Sequence, residues 1–126
     1  MPTFRIDPNP TFAVTVAVPR AGGEAVEVPF TFKFLDREQL AEHFDRKHEH
    51  QKALAELVQT GASVREVTAA AMERQVETLQ GIVTAWGFED EFSEEALRAF
   101  VRTSAAAPEA VIRAFEQGYE PARLGN

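Results

Sequence analysis

The sequence predicts one α+β domain dominated by helix, with an N-terminal β-hairpin, a short third strand on offer, and about four α-helices after it. Three observations carry this expectation. Apolar residues alternate with polar ones through residues 11–34, the period of a strand. From residue 36 onward they recur every three or four positions, the period of a helix. Residues that cap helix N-termini stand where those helical stretches begin. The two patterns divide the 126 residues into a hairpin region, 1–35, and a helical region, 36–126. A chain of this length has surface enough for one core, and a lone hairpin is marginal in water, so the two regions form one domain.

Phe12, Val14, Val16 and Val18 share one side of the first strand, with Ala13, Thr15 and Ala17 on the other. Val26, Val28, Phe30, Phe32 and Phe34 repeat that pattern after a connection holding Gly22-Gly23, which can take the positive φ a turn needs. Pro29 has no N–H to give to a ladder, which predicts an open edge on its strand. Phe4 and Ile6 alternate too and supply the short third strand.

Asp36 with Gln39 makes a capping box, and Leu40, Phe44, Leu54, Leu57 and Val58 follow at helical spacing to Thr60-Gly61. The middle of that helix, residues 45–52, has no large apolar side chain and is expected to be solvated or to project beyond the core. Ser63 with Glu66 opens a second helix, whose stripe of Val64, Val67, Ala71, Leu79, Ile82, Val83 and Trp86 predicts an end at Gly87. Ser93 is an N-cap with Glu94 and Glu95 at the positive end of the dipole, and Phe92 is placed to staple onto Leu97. Ala105-Ala106-Ala107 leads to Pro108, which suits a first helical position, and Val111, Ile112, Phe115 and Tyr119 form the stripe of a last helix stopped by Pro121.

Thirteen basic against twenty acidic side chains leave a net charge of -7, which opposes binding to phosphate backbones and makes nucleic acid a poor partner. No apolar run reaches the roughly 20 residues of a membrane span, and residues 1–10 lack the apolar core of a secretory signal. With no cysteine to form a disulfide, the expected location is the cytoplasm.

Little in the sequence carries chemistry. His43, His48 and His50 are spaced five and two apart, whereas side chains meet on a helix at three or four, so no metal site is expected. The acidic run Glu89, Asp90, Glu91, Glu94 and Glu95 lacks the alternating ligands and glycine of a calcium loop. Ser63 and Ser93 are explained as caps, and no phosphate loop or nucleophile elbow occurs. Neither a catalytic residue nor a cofactor is expected. Ten Phe, one Trp and one Tyr are many rings for a small core, so part of them is expected to form an exposed apolar patch for a protein partner.

The ordered segments Leu79 to Gly87 (LQGIVTAWG), Phe92 to Leu97 (FSEEAL), Pro108 to Ile112 with Phe115 and Tyr119, and Ala122 to Asn126 (ARLGN) resemble the tail assembly chaperones of tailed bacteriophages. In that family a β-hairpin precedes helices, an IV-x-x-W segment is followed by FS-x-E-x-L, and the chain closes near R-x-G-N. The resemblance covers most of the chain and is strongest from Leu79 onward. The short connection Gly87 to Glu91 and the polar stretch Arg46 to Lys52 depart from the pattern.

The resemblance implies a non-catalytic protein of the bacterial host's cytoplasm that binds the tape measure protein before the tail tube polymerises around it, and then leaves. Trp86, Phe88, Phe92 and Tyr119 are expected near a groove that receives a helical segment of that partner. Strand addition at the hairpin edges implies self-association as a second contact mode. The competing readings are a small structural component that stays in the particle, and a metal protein or enzyme built on residues 43–50.

Overall fold

The computed structural model describes residues 10–119, so the expected strand at Phe4 and Ile6 and the expected stop at Pro121 lie outside the described residues. The element order is β1 (Thr11–Arg20), β2 (Gly23–Lys33), α1 (Arg37–Gln59), α2 (Val64–Ile82), β3 (Val83–Trp86), α3 (Glu94–Thr103) and α4 (Ala106–Gln117). The α+β class, with a hairpin first and four helices after it, is as the sequence predicts.

β1 and β2 form the expected antiparallel hairpin, in which Phe12 faces Phe32, Val14 faces Phe30 and Val16 faces Val28. Gly22 turns the chain with φ of 70°. This register puts every large apolar residue of both strands on one face, against which the helices close. α4 lies across β1, α2 packs on β2, and α3 packs on α2 and reaches Phe30 of β2 through Phe100. The core is built from Val16, Val28, Phe30 and Phe32 of the sheet with Leu79, Ile82, Leu97, Val101, Val111 and Phe115 of the helices. Phe34, placed by its spacing on the same face, follows the end of β2 and is 47 % exposed.

The sheet corrects one expectation. The second helix does not run to Gly87: it ends at Ile82, and Val83–Trp86 turns back as a third antiparallel strand beside β2. Three consecutive β-branched residues, Ile82-Val83-Thr84, favour that extended backbone. The strand holding Pro29 is therefore the centre of the sheet β1-β2-β3, yet its edge is open where the sequence predicts it, because β3 pairs only with Phe30 to Phe32. Its proline is accommodated because β3 pairs only as far as Trp86 opposite Phe30. The N–H of Gly87 then donates to the Pro29 carbonyl at 2.8 Å, so the missing Pro29 N–H faces the point where β3 stops.

The caps behave as their residue types require. Asp36 and Gln39 form a reciprocal capping box, Ser63 Oγ accepts from Glu66 N–H, and Ser93 Oγ accepts from Ala96 N–H. Pro108 is not the first residue of α4 as expected: the helix begins two residues earlier, at Ala106, where Ser104 Oγ accepts the Ala107 N–H, and the proline, which has no N–H to bond, sits buried in the first turn. α1 is long, about 34 Å at 1.5 Å per residue. Among the described residues, none of α1 beyond His43 and none of α2 before Val76 is fully buried; Lys47 and Gln75 still bond to α4 and Met72 packs on the core, and the far ends of the two helices project as an arm. Val58 and Val64 near its tip are 61 % and 84 % exposed.

Candidate functional site

β3 carries Trp86 to the open side of the sheet, and Gly87 lets the chain pass Pro29 so that Phe88 folds back over Phe30. There Trp86 meets Phe88, Phe92 and Phe30 edge to face, with centroids 5.1, 5.0 and 6.3 Å away. Phe100 of α3 closes the cluster against Trp86 at 5.9 Å and Phe88 at 5.5 Å. The indole N–H donates to the Asp90 carbonyl at 2.8 Å, which fixes the loop between β3 and α3. All four rings are half-buried, unlike Phe30 beneath them.

Above this cluster lies a cavity of about 840 Å³ bounded by the hairpin tip, the aromatic loop and α3. Trp86, Phe88 and Phe100 are in its wall, with Val18 and Val26 from the hairpin and Ala96, Ala99 and Thr103 from α3. Arg20, Asp90 and Glu95 supply its charged edge. Its size and mostly apolar lining are those of a binding cleft.

The structure thus brings together three of the four expected partner-binding residues. Trp86 and Phe88 line the cavity, and Phe92 backs the indole. Tyr119 stands apart, at the far end of β1, against Phe12, Phe34 and Phe115. Its hydroxyl accepts the Leu35 N–H at 2.7 Å, and burial raises its pKa above the ordinary tyrosine value although that hydrogen bond works the other way. The cavity residues missed in the sequence are Val26, Ala96, Ala99 and Thr103. Their signal was present: 96, 99 and 103 are small residues on one helical face, and Val26 continues the apolar face of β2 beyond the core.

The histidines do not converge. His43 is 4 % exposed and its Nε2–H donates to Glu116 Oε2 at 2.9 Å, while Lys47 donates to Oε1 of the same carboxylate at 2.9 Å. Burial works to raise the Glu116 pKa, but the hydrogen bonds from His43 and Lys47 outweigh it and hold the carboxyl below its ordinary value. His48 is exposed, and His50 lies beside a small cavity between α1, α2 and α4 with its pKa lowered, first by burial and then by Arg74. Among the described residues no three His, Cys, Asp or Glu side chains are grouped to hold a metal ion. Arg98 joins α2 to α3, forked onto Glu73 at 2.7 and 3.1 Å and reaching Glu94 at 3.3 Å. Among the described residues no helix is long and apolar enough to cross a membrane.

No curated protein and no solved structure matches the chain. A family model described as phage tail assembly chaperone matches residues 1–126, which is the whole chain. The hairpin, the helices and the aromatic cleft are therefore the form taken here by a member of a known family: this protein belongs to the phage tail assembly chaperones.

Proposed function

We propose that this protein is a non-enzymatic chaperone that binds the tape measure protein in the host cytoplasm during tail morphogenesis and is absent from the finished tail. The observation that carries the reading is the open apolar cavity walled by Trp86 and Phe88. A long helical protein exposes apolar stripes before assembly, and a cleft that covers such a stripe keeps it from aggregating. The acidic surface of the chain keeps the complex dispersed.

The test is co-expression with the long helical tail protein encoded beside this chain, followed by size-exclusion chromatography. Co-elution, with the partner insoluble when made alone, is expected. Ala99→Gln, an exposed substitution in the cavity wall, is expected to reduce co-elution without changing the melting temperature. Purified particles are expected to contain no copy of the chain by mass spectrometry. A stoichiometric copy there makes it a structural component instead.

Self-association through the outer strand edges is the second contact mode we propose. Among the described residues no strand pairs with the outer side of β1. Sedimentation equilibrium reads the resulting dimer directly, and a monomer at all concentrations removes it.

A further inference from the structure

Five of the carboxylates in this chain, Glu89, Asp90, Glu91, Glu94 and Glu95, fall within seven residues that hold no cation. The whole chain carries a net charge of only -7, so this loop holds most of its excess. It forms one border of the cavity, where Asp90 and Glu95 are part of the lining. Glu94 is engaged by Arg98, but among the described residues the other four take part in no salt bridge. Two of these four, Asp90 and Glu95, line the apolar cleft together with the single cation Arg20, which leaves its charged edge acidic toward whatever enters it.

The opposite property belongs to α3. Ala96, Ala99 and Thr103 are spaced i, i+3 and i+7 and so lie on one face. That face borders the cavity, and Ala99 and Thr103 are exposed. A ridge of small side chains allows a second helix to approach to about 8–10 Å between axes. The wall across from it is the hairpin tip, where Val26 is 37 % exposed on what is otherwise the buried face of the sheet. Helix α3, the apolar hairpin tip and the aromatic rings of Trp86, Phe88 and Phe100 together wall the trough of about 840 Å³.

We propose that this trough receives a single amphipathic α-helix of the partner, packed on Ala96, Ala99 and Thr103, with lysine or arginine along the flank that meets Asp90 and Glu95. The inference rests on the chaperone reading above and adds the chemistry of the segment recognised. Charge complementarity makes the association steered and salt-dependent, and the apolar ridge gives it register.

The test uses overlapping 25-residue peptides spanning the tape measure protein, with the full chain as receptor and Trp86, its one tryptophan, as the fluorescent reporter. Binding peptides are expected to carry an apolar stripe at i, i+3 and i+7 with net positive charge. They are expected to become helical on binding by circular dichroism and to shift the Trp86 emission. The double variant Asp90→Lys with Glu95→Lys is expected to bind them at least tenfold more weakly, and Asp90→Asn with Glu95→Gln by an intermediate factor with an unchanged melting temperature. Binding peptides that are acidic, that bind the charge-reversed variant equally well, or that leave Trp86 unaffected overturn the proposal. So does co-elution of the full-length partner when no single peptide binds, because recognition then needs more than one helix. In both cases the chaperone reading survives, whereas failure of the wild-type chain to co-elute with the full-length partner overturns the two together.

Discussion

A Cβ on Gly87 would lie 2.5 Å from both Cγ and Cδ of Pro29, so the proline in the middle of β2 and the glycine that ends β3 fit only as a pair. Gly87→Ala is therefore expected to push β3 off the centre of the sheet. A cost of about 1–3 kcal/mol is the scale for inserting a methyl group where backbone and ring cannot give way. Chemical denaturation reads it. The double variant Gly87→Ala with Pro29→Val, which removes the ring, is expected to recover part of the loss.

Glu116 ties α1 to α4 by accepting from both His43 and Lys47. Glu116→Gln removes the charge from two charge-assisted hydrogen bonds, one of them to a buried ring, and is expected to cost about 1–3 kcal/mol in urea unfolding. The Glu116 pKa is lowered in the folded state, so its stabilisation is present above the ordinary glutamate value of 4.5 and is lost as pH falls through the depressed folded value. The wild-type chain is expected to lose stability on acidification in that range, and Glu116→Gln to lose less.

A second acid-sensitive site sits nearer neutrality. Burial and the Arg74 charge hold the His50 pKa below 6.5, so the unfolded chain takes up its proton first as pH falls. The contribution is complete above 6.5 and is lost as pH falls through the lower, folded value. Melting temperatures between pH 7.5 and 5 are expected to decline for the wild-type chain and to decline less steeply for His50→Gln.

Trp86→Ala and Tyr119→Phe are expected to behave differently. The indole packs on Phe30, Phe88, Phe92 and Phe100, so its removal is expected to destabilise by about 2–4 kcal/mol and to weaken partner binding as well. Tyr119→Phe strips the acceptor from the Leu35 N–H, a loss of about 1 kcal/mol, and is expected to leave partner affinity unchanged because the ring stands away from the cavity. Thermal melts paired with binding isotherms separate the two effects.

Local signals in this chain were read correctly wherever local physics decides the outcome. Asp36, Ser63 and Ser93 cap helices because their oxygens accept from N–H groups three residues on, a rule that needs no tertiary contact. The hairpin follows from its alternation. Val83 to Trp86 was misread because its apolar spacing fits a helix, and what overrides that spacing is the free side of β2, which only the folded sheet presents. His43, just before the polar stretch 45–52, is buried and hydrogen-bonded to Glu116, 73 residues further on, a contact no local pattern reports. The cavity was invisible for the same reason: its walls come from the hairpin tip and α3, and only the Trp86 and Phe88 side of it announced itself by aromatic content.

The projecting α1–α2 arm divides the molecule into parts of unequal persistence. Its amides beyond His43 and before Val76 are held by helix bonds with little buried apolar surface behind them, whereas the amides of Phe30 to Phe32 lie between β1 and β3 under the core. Hydrogen exchange in the arm then proceeds by partial opening that spares the sheet, and the Phe30 to Phe32 amides exchange only through loss of the whole fold. A partner released from the cavity would leave the arm's protection as it was, so deuterium uptake distinguishes a client seated on α3 from one clasped by the arm.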